Sequence, residues 1–143
     1  MRHLALAFLA ALPAAAQEAV PCQDAYAGSL AGLVEPLEET TRAFANGAVR
    51  VLVVAVDEPA CCGVFPAVLL PDPEVGFRTC RLLMVNGGQG FGGLRFGPGE
   101  AEYDAANGLV VPMTARVSTG GDAYVERPVA IVVNQATGEV SMR

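Results

Sequence analysis

The chain has 143 residues, a formal net charge of −6 and an apolar content of 52%. Its nine basic residues are all Arg, and its single His is His3. A chain of this length and apolar content suits one domain with a real core, and it does not suit a disordered segment. Its scattered Arg residues lack the clustered positive charge that binding to nucleic acid or anionic lipid requires, so we expect neither partner.

The first residues have the pattern of a secretory signal peptide. Arg2 gives a positive start, Leu4 to Leu12 form a short apolar run, and three Ala residues follow Pro13. Signal peptidases recognise this order of charge, apolar run and small residues. The apolar run is shorter than the roughly 20 residues that a membrane span needs. We therefore predict a signal peptide over 1–16, one exported domain over 17–143, and no membrane span after the signal is removed.

The composition also indicates a source and a compartment. A chain that uses Arg as its only basic residue beyond the signal, and that is rich in Ala and Gly, is typical of GC-rich bacterial genomes. Together with the signal peptide, this composition predicts a periplasmic or extracellular location.

Four cysteines lie beyond the predicted signal: Cys22, Cys61, Cys62 and Cys80. An even number in an exported domain predicts two disulfides, and three pairings are possible from the sequence. A bond between the neighbours Cys61 and Cys62 would close a strained ring, so we rank that pairing last. Because adjacent side chains of a strand point to opposite faces, we expect one of these two to reach Cys22 and the other to reach Cys80.

The front of the chain has helical spacing. Apolar residues recur at that spacing from Leu30 to Phe44, and Pro36 suits a first helical position. Gly47 follows where a helix would end. The pattern predicts a helix from Pro36 to Asn46 and a shorter helical turn from Asp24 to Leu33.

The rest of the chain indicates β-strands. Ala48 to Val56 is apolar on both alternations, which is typical of a strand inside a sheet. Pro66 indicates an edge position for the next strand. The predicted strands run from Ala48 to Val56, Val64 to Leu70, Phe77 to Val85, Leu109 to Val117 and Tyr124 to Val133, with a closing hairpin that ends at Glu139 to Met142. The expected fold class is α+β, with an N-terminal helix packed on an antiparallel β-sheet and disulfides as staples.

A Gly-rich tract covers residues 87–99. Three of its glycines fit the dinucleotide-binding spacing, but no helix start follows them, so we do not expect a nucleotide. Phe91, Arg95 and Phe96 put two aromatic rings and a guanidinium on this Gly-rich backbone. Since function concentrates on loops, we predict that these three residues form a partner-binding loop.

The missing His and Lys residues limit the chemistry of the exported domain. Ser-His-Asp, Cys-His and Ser-Lys arrangements and His-based zinc sites all need one of them. We therefore predict no catalytic residue, no metal and no cofactor. The predicted function is a non-enzymatic binding or accessory module of the bacterial envelope, with another envelope protein or a small ligand as partner. Two alternatives stay open: a thiol–disulfide active protein that uses Cys61 and Cys62, and a carrier of a small apolar ligand between helix and sheet.

Overall fold

The computed structural model describes residues 17–57 and 61–143. The predicted signal peptide over 1–16 lies outside these residues. Within them, no helix is long and apolar enough to cross a membrane. The strands of the described part are β1 (Gln17–Pro21), β2 (Thr41–Phe44), β3 (Val49–Ala55), β4 (Val64–Pro71), β5 (Arg78–Val85), β6 (Gly93–Phe96), β7 (Glu102–Asp104), β8 (Gly108–Gly120), β9 (Ala123–Asn134) and β10 (Glu139–Met142). The helical segments there are α1 (Leu37–Thr40) and the 3₁₀ turns Cys22–Asp24, Leu30–Gly32 and Ala45–Gly47.

The strands form two antiparallel sheets. Sheet A has the order β1-β5-β4-β3-β2, and sheet B has the order β10-β9-β8-β6, with the short β7 also pairing with β8. The longest ladder joins β8 to β9, from Leu109 opposite Val133 to Gly120 opposite Ala123. Strands account for 57% of the structure and helical segments for 10%. The antiparallel pairing agrees with the prediction, but the α+β fold class is wrong, because the molecule is mostly β.

The two sheets face each other across one apolar core. In β8, alternate residues from Leu109 to Ala115 are buried, and the residues between them are more exposed. This is the period of two that a strand with one buried face shows. Alternate residues of β3 from Val49 to Val53 enter the same core from sheet A. The architecture is therefore a β-sandwich.

Sheet A is apolar on its outer face as well. There Val54, Phe65 and Leu82, from three neighbouring strands, form a second buried cluster with Cys22. The segment 22–33 supplies the cover for this face. Because both faces of sheet A are buried, β3 is apolar along most of its length, and its predicted position inside a sheet is confirmed.

The predicted N-terminal helix does not occur in the described residues. From Pro36 to Asn46 the chain makes α1, four residues long, then β2, which pairs antiparallel with β3, and then the start of the 3₁₀ turn Ala45–Gly47. Leu37 is 41% exposed, so α1 has no buried apolar face to hold it on a sheet. The segment from Asp24 to Leu33 contains a 3₁₀ turn in place of the expected helical turn. Pairing with β3 therefore overrides the local helical spacing.

The strand that was predicted at an edge lies at the centre of sheet A. β4 pairs with β3 on one side and with β5 on the other. Pro66 lies opposite Val53 on β3, and the pairing with β5 begins only at Ala67. The N–H that Pro66 lacks therefore falls where the second ladder has not begun, so Pro66 is tolerated inside the sheet.

The connections between strands gather at the two ends of the sandwich. Gly138 has a φ of 73°, as the predicted left-handed glycine of the closing hairpin requires. The turn end is made of the three turns 72–77, 104–107 and 135–138. The disulfide end is made of Cys61, Cys62, the turn 86–89 and the tip of the β8–β9 hairpin.

Candidate functional site

The first disulfide joins Cys22 to Cys80, whose Cα atoms are 5.3 Å apart. The pairing of β1 with β5 brings Cys22 close to Cys80, because Pro21 lies opposite Arg81 on β5. Cys22 is only 6% exposed and belongs to the cluster on the outer face of sheet A. The bond therefore fastens the segment after β1 to that face.

The second disulfide joins the neighbours Cys61 and Cys62. The expectation that they bond separately to Cys22 and Cys80 is wrong. β1 already places Cys22 beside Cys80, whereas Cys61 and Cys62 precede β4 at the disulfide end. Cys61 is exposed and Cys62 is half-buried. The carbonyl of Cys62 accepts a hydrogen bond from the N–H of Gly90 at 2.9 Å.

The predicted partner-binding loop belongs largely to the core. Phe91 is 5% exposed and Phe96 is 8% exposed, and both rings pack between the sheets. Arg95 points outward, and its guanidinium donates two hydrogen bonds to the carboxylate of Glu126 at 2.5 and 2.9 Å. These bonds lower the pKa of Glu126 and raise the pKa of Arg95. Arg95 is therefore the exposed member of the three, and the partner-binding role of this loop stays a prediction.

The glycines of this tract allow its backbone to approach sheet A at Gly90 and sheet B at Gly92. A Cβ on Gly90 would lie 2.5 Å from the carbonyl oxygen of Val64 and 2.8 Å from that of Cys62. A Cβ on Gly92 would lie 2.4 Å from the ring of Tyr124. Packing therefore accounts for these glycines without a bound ligand. The cysteine pair and the Gly-rich tract, singled out separately in the sequence, lie against each other at the disulfide end.

Three turns at the turn end share one local arrangement. In each, a side-chain oxygen of the residue that begins or directly precedes the turn accepts two backbone hydrogen bonds, between 2.8 and 3.3 Å long. The donors are the N–H groups two and three positions further on. The acceptors are Asp72, Asp104 and Asn134. The N–H groups of Val75 and Glu74 lower the pKa of Asp72, and those of Asn107 and Ala106 lower the pKa of Asp104. The backbone of this end is therefore well ordered.

The three turns also contact one another. A Cβ on Gly138 would lie 2.9 Å from Cδ of Pro73, so the turns 135–138 and 72–77 are closely packed. The hydroxyl of Tyr103 lies 3.4 Å from Oε1 of Gln135, which links the strand before the turn 104–107 to the turn 135–138. The turn end is thus one continuous surface.

This surface displays large apolar side chains. Phe77 is 78% exposed, Tyr103 is 68% exposed and Val75 is 64% exposed. The backbone on both sides of Val75 is fixed, because the N–H of Asp72 also donates to the carbonyl of Phe77 at 2.8 Å. Sequence analysis missed this site and assigned Phe77 to the start of a strand. The sequence does contain a signal for this site: Phe77 directly follows Gly76 at the end of a segment with the turn residues Asp, Pro and Gly. Turns lie at the surface, so an aromatic side chain there is expected to be exposed.

An apolar cavity of about 80 Å³ lies between the segment 22–33 and the outer face of sheet A. Leu33, Leu52 and Leu82 are among the side chains that line it. Pockets for small molecules usually enclose about 300–1,000 Å³. The carrier hypothesis stays a prediction, and the size of this cavity does not support it.

The fold and its ends define a small β-sandwich, fastened by disulfides, with a rigid and partly apolar turn end. Comparisons with protein-family models, with curated proteins and with solved structures found no match.

Proposed function

We propose that this protein is a non-enzymatic binding module of the bacterial envelope that docks on another envelope protein through its turn end. The observation that carries the proposal is the exposure of Phe77 and Val75 on a turn whose backbone is held by hydrogen bonds. Aromatic side chains supply much of the energy at protein interfaces. A turn that is already ordered loses little conformational freedom on binding, so more of that energy is available as affinity.

The disulfides support the compartment. Cys22–Cys80 and Cys61–Cys62 are both closed, and disulfides persist mainly outside the reducing cytosol. The signal-peptide pattern and the Arg-only exported domain support the finer assignment to the periplasm or the exterior of a bacterial cell.

The charges around the exposed side chains indicate the chemistry of the partner. Asp72 and Glu74 lie in the same turn as Val75 and Phe77, and Asp104 lies in a neighbouring turn. Both carboxylates are ionised at neutral pH, and their lowered pKa values extend that ionisation into acid conditions. Arg78 follows Phe77 and is exposed, so charges of both signs surround the apolar side chains. Since complementary charges steer association, we infer a partner with an apolar pocket and a rim of charged side chains that includes Arg or Lys.

The distribution of perturbed groups supports a role in binding over a role in catalysis. Among the described residues, the shifted pKa values belong to Asp72, Asp104 and the pair Arg95 and Glu126. Arg95 and Glu126 are exposed, and the two aspartates are half-buried in surface turns. Catalytic sites usually place such shifts on groups in a cleft, where burial and neighbouring charges act together. The turn carboxylates instead serve as acceptors that order the backbone.

Photo-cross-linking in the producing cell tests the proposal. Phe77 is replaced by a photoreactive phenylalanine analogue, and Leu30, which is 83% exposed but lies beside the outer face of sheet A, receives the same analogue as a matched control. We expect one envelope protein to be captured from position 77 and not from position 30.

A second substitution in the same chain, Val75→Asp, should weaken the capture. Loss of an interface anchor worth about 2 kcal/mol lowers affinity about thirtyfold. Absence of any adduct at position 77, or the same adducts at both positions, would contradict docking through the turn end.

A further inference from the structure

We propose that Cys61–Cys62 is a thiol–disulfide exchange site that accepts two electrons from a protein dithiol, whereas Cys22–Cys80 is a permanent staple. The inference goes beyond binding at the turn end and does not depend on it, because the cysteine pair lies at the opposite end of the sandwich. It rests on accessibility, on chain topology and on the contacts of the Cys62 backbone.

The two disulfides differ in access to solvent. Exchange requires a thiolate to reach one of the bonded sulfurs. Cys22 is 6% exposed and packs among buried apolar side chains on the outer face of sheet A, and its partner Cys80 is half-buried there. Cys61 is exposed, and Cys62 is half-buried. An attacking protein thiol therefore has a direct approach to Cys61 and none to Cys22.

The two disulfides also differ in how strongly the fold keeps them closed. Cys22–Cys80 spans a sequence separation of 58 residues, so it removes much chain entropy from the unfolded state. By reciprocity, the folded structure favours that bond by the same free energy. Cys61–Cys62 spans a separation of one residue, and the fold gives it almost no such protection. Reduction of the second bond is therefore opposed far less by folding.

The backbone of Cys62 contacts the segment that connects the two sheets, so reduction of Cys61–Cys62 can affect that connection. The Cys62 carbonyl accepts from Gly90, and Val64 and Phe91 exchange two backbone hydrogen bonds of 3.1 and 2.7 Å directly beside it. This seam joins sheet A to the Gly-rich tract that leads into sheet B. Opening the disulfide releases a constraint at that seam, without removing a side chain from either buried cluster.

The exchange is balanced as a two-electron transfer. A thiolate of the reductant attacks Sγ of Cys61, the Cys61–Cys62 bond breaks, and Cys62 leaves as a thiolate that takes up a proton. The second thiol of the reductant then loses its proton and attacks the reductant's first sulfur, which is bonded to Cys61 in the mixed disulfide. Cys61 leaves as a thiolate and is protonated. The reductant ends as a disulfide, and the two cysteines end as thiols.

The test measures the reduction of each bond separately in the folded, exported protein. Reduced thioredoxin serves as the protein dithiol, samples are alkylated at intervals, and tryptic peptides are weighed. Cys61 and Cys62 fall in the peptide 51–78, and Cys80 falls in the peptide 79–81. We expect the peptide 51–78 to gain two alkyl groups at least about tenfold faster than the peptide 79–81 gains one.

Variants make the assignment specific. Cys22→Ala with Cys80→Ala should keep the fast phase, and Cys61→Ser with Cys62→Ser should abolish it. Circular dichroism shows whether each variant is folded, and if either one is not, the peptide rates of the unchanged protein decide alone. Equal rates for the two bonds, faster opening of Cys22–Cys80, or reduction of Cys61–Cys62 only in denaturant would overturn the exchange site.

Discussion

Removing the Cys22–Cys80 disulfide, by Cys22→Ala together with Cys80→Ala, should lower the free energy of unfolding by about 4 kcal/mol. The bond spans a sequence separation of 58 residues. The chain-entropy relation for a loop of that length gives about 14 cal/mol/K, which is about 4 kcal/mol at 25 °C. Because a domain of this size has a net stability of about 5–15 kcal/mol, the variant should be much closer to unfolding.

Equilibrium unfolding in urea, followed by circular dichroism without reductant, measures this loss. The matched control is Cys61→Ala with Cys62→Ala, which removes a bond between neighbours and should cost less than about 1 kcal/mol. Similar losses in the two double variants, or a loss below about 1 kcal/mol for the Cys22 and Cys80 pair, would refute the reasoning that only one disulfide staples the fold.

Three further predictions concern packing and pH. Phe91→Ala removes a ring from the core and should cost about 3–5 kcal/mol in urea unfolding, and a loss below about 1 kcal/mol would place the ring outside the core. Gly90→Ala should lower the free energy of unfolding by about 1–3 kcal/mol, because its Cβ would lie 2.5 Å from a backbone oxygen. The control Gly99→Ala makes only an ordinary 3.6 Å contact, so it should change the free energy of unfolding little. Equal losses in the two variants would show that the close approach at Gly90 is absent. The lowered pKa values of Asp72 and Asp104 mean that their stabilising effect is present above about pH 4 and is lost as pH falls through their folded values. Replacing both by Asn keeps the turn acceptors but removes the titration, so the urea midpoint should fall less between pH 4 and pH 2, and parallel pH profiles would contradict this assignment.

The β-rich part of the fold could be predicted because its pattern is local. Alternation from Leu109 to Ala115 reports one buried face, and the structure buries those residues on the inner face of sheet B. The apolar run of β3 indicates a strand that is buried on both faces. In the structure, β3 lies inside sheet A, with the core on one face and the second buried cluster on the other. Gly138 marks the closing turn through its positive φ. Each of these features depends on a few neighbouring residues.

The front of the chain could not be predicted, because long-range pairing decides it. Residues 36–46 have helical spacing, but Thr41 to Phe44 serve as the partner strand of β3. The spacing does not contain that information, since it depends on where β3 lies. The cysteine pairing has the same origin: Cys22 meets Cys80 because β1 pairs with β5, strands that are far apart in the sequence.

The candidate site shows a different limit of sequence reasoning. Phe91 and Phe96 drew attention because they interrupt a Gly-rich tract, yet the glycines serve the close packing that buries both rings. The outward direction of Arg95 beside the inward ring of Phe96 follows from strand alternation and could have been used. Phe77 looked ordinary as the first residue of a strand, but its turn leaves it in solvent.

Peptide mapping of the exported protein without reduction tests the central structural claim most directly, namely that Cys22 bonds to Cys80 and Cys61 bonds to Cys62. Trypsin separates them, because cleavage after Arg42, Arg50, Arg78 and Arg81 puts Cys22, the Cys61 and Cys62 pair, and Cys80 in three different peptides. The predicted result is the peptide ending at Arg42 linked to the tripeptide 79–81, with the peptide 51–78 unlinked and two hydrogens lighter than its dithiol form. A link from the peptide 51–78 to either of the other two would contradict it.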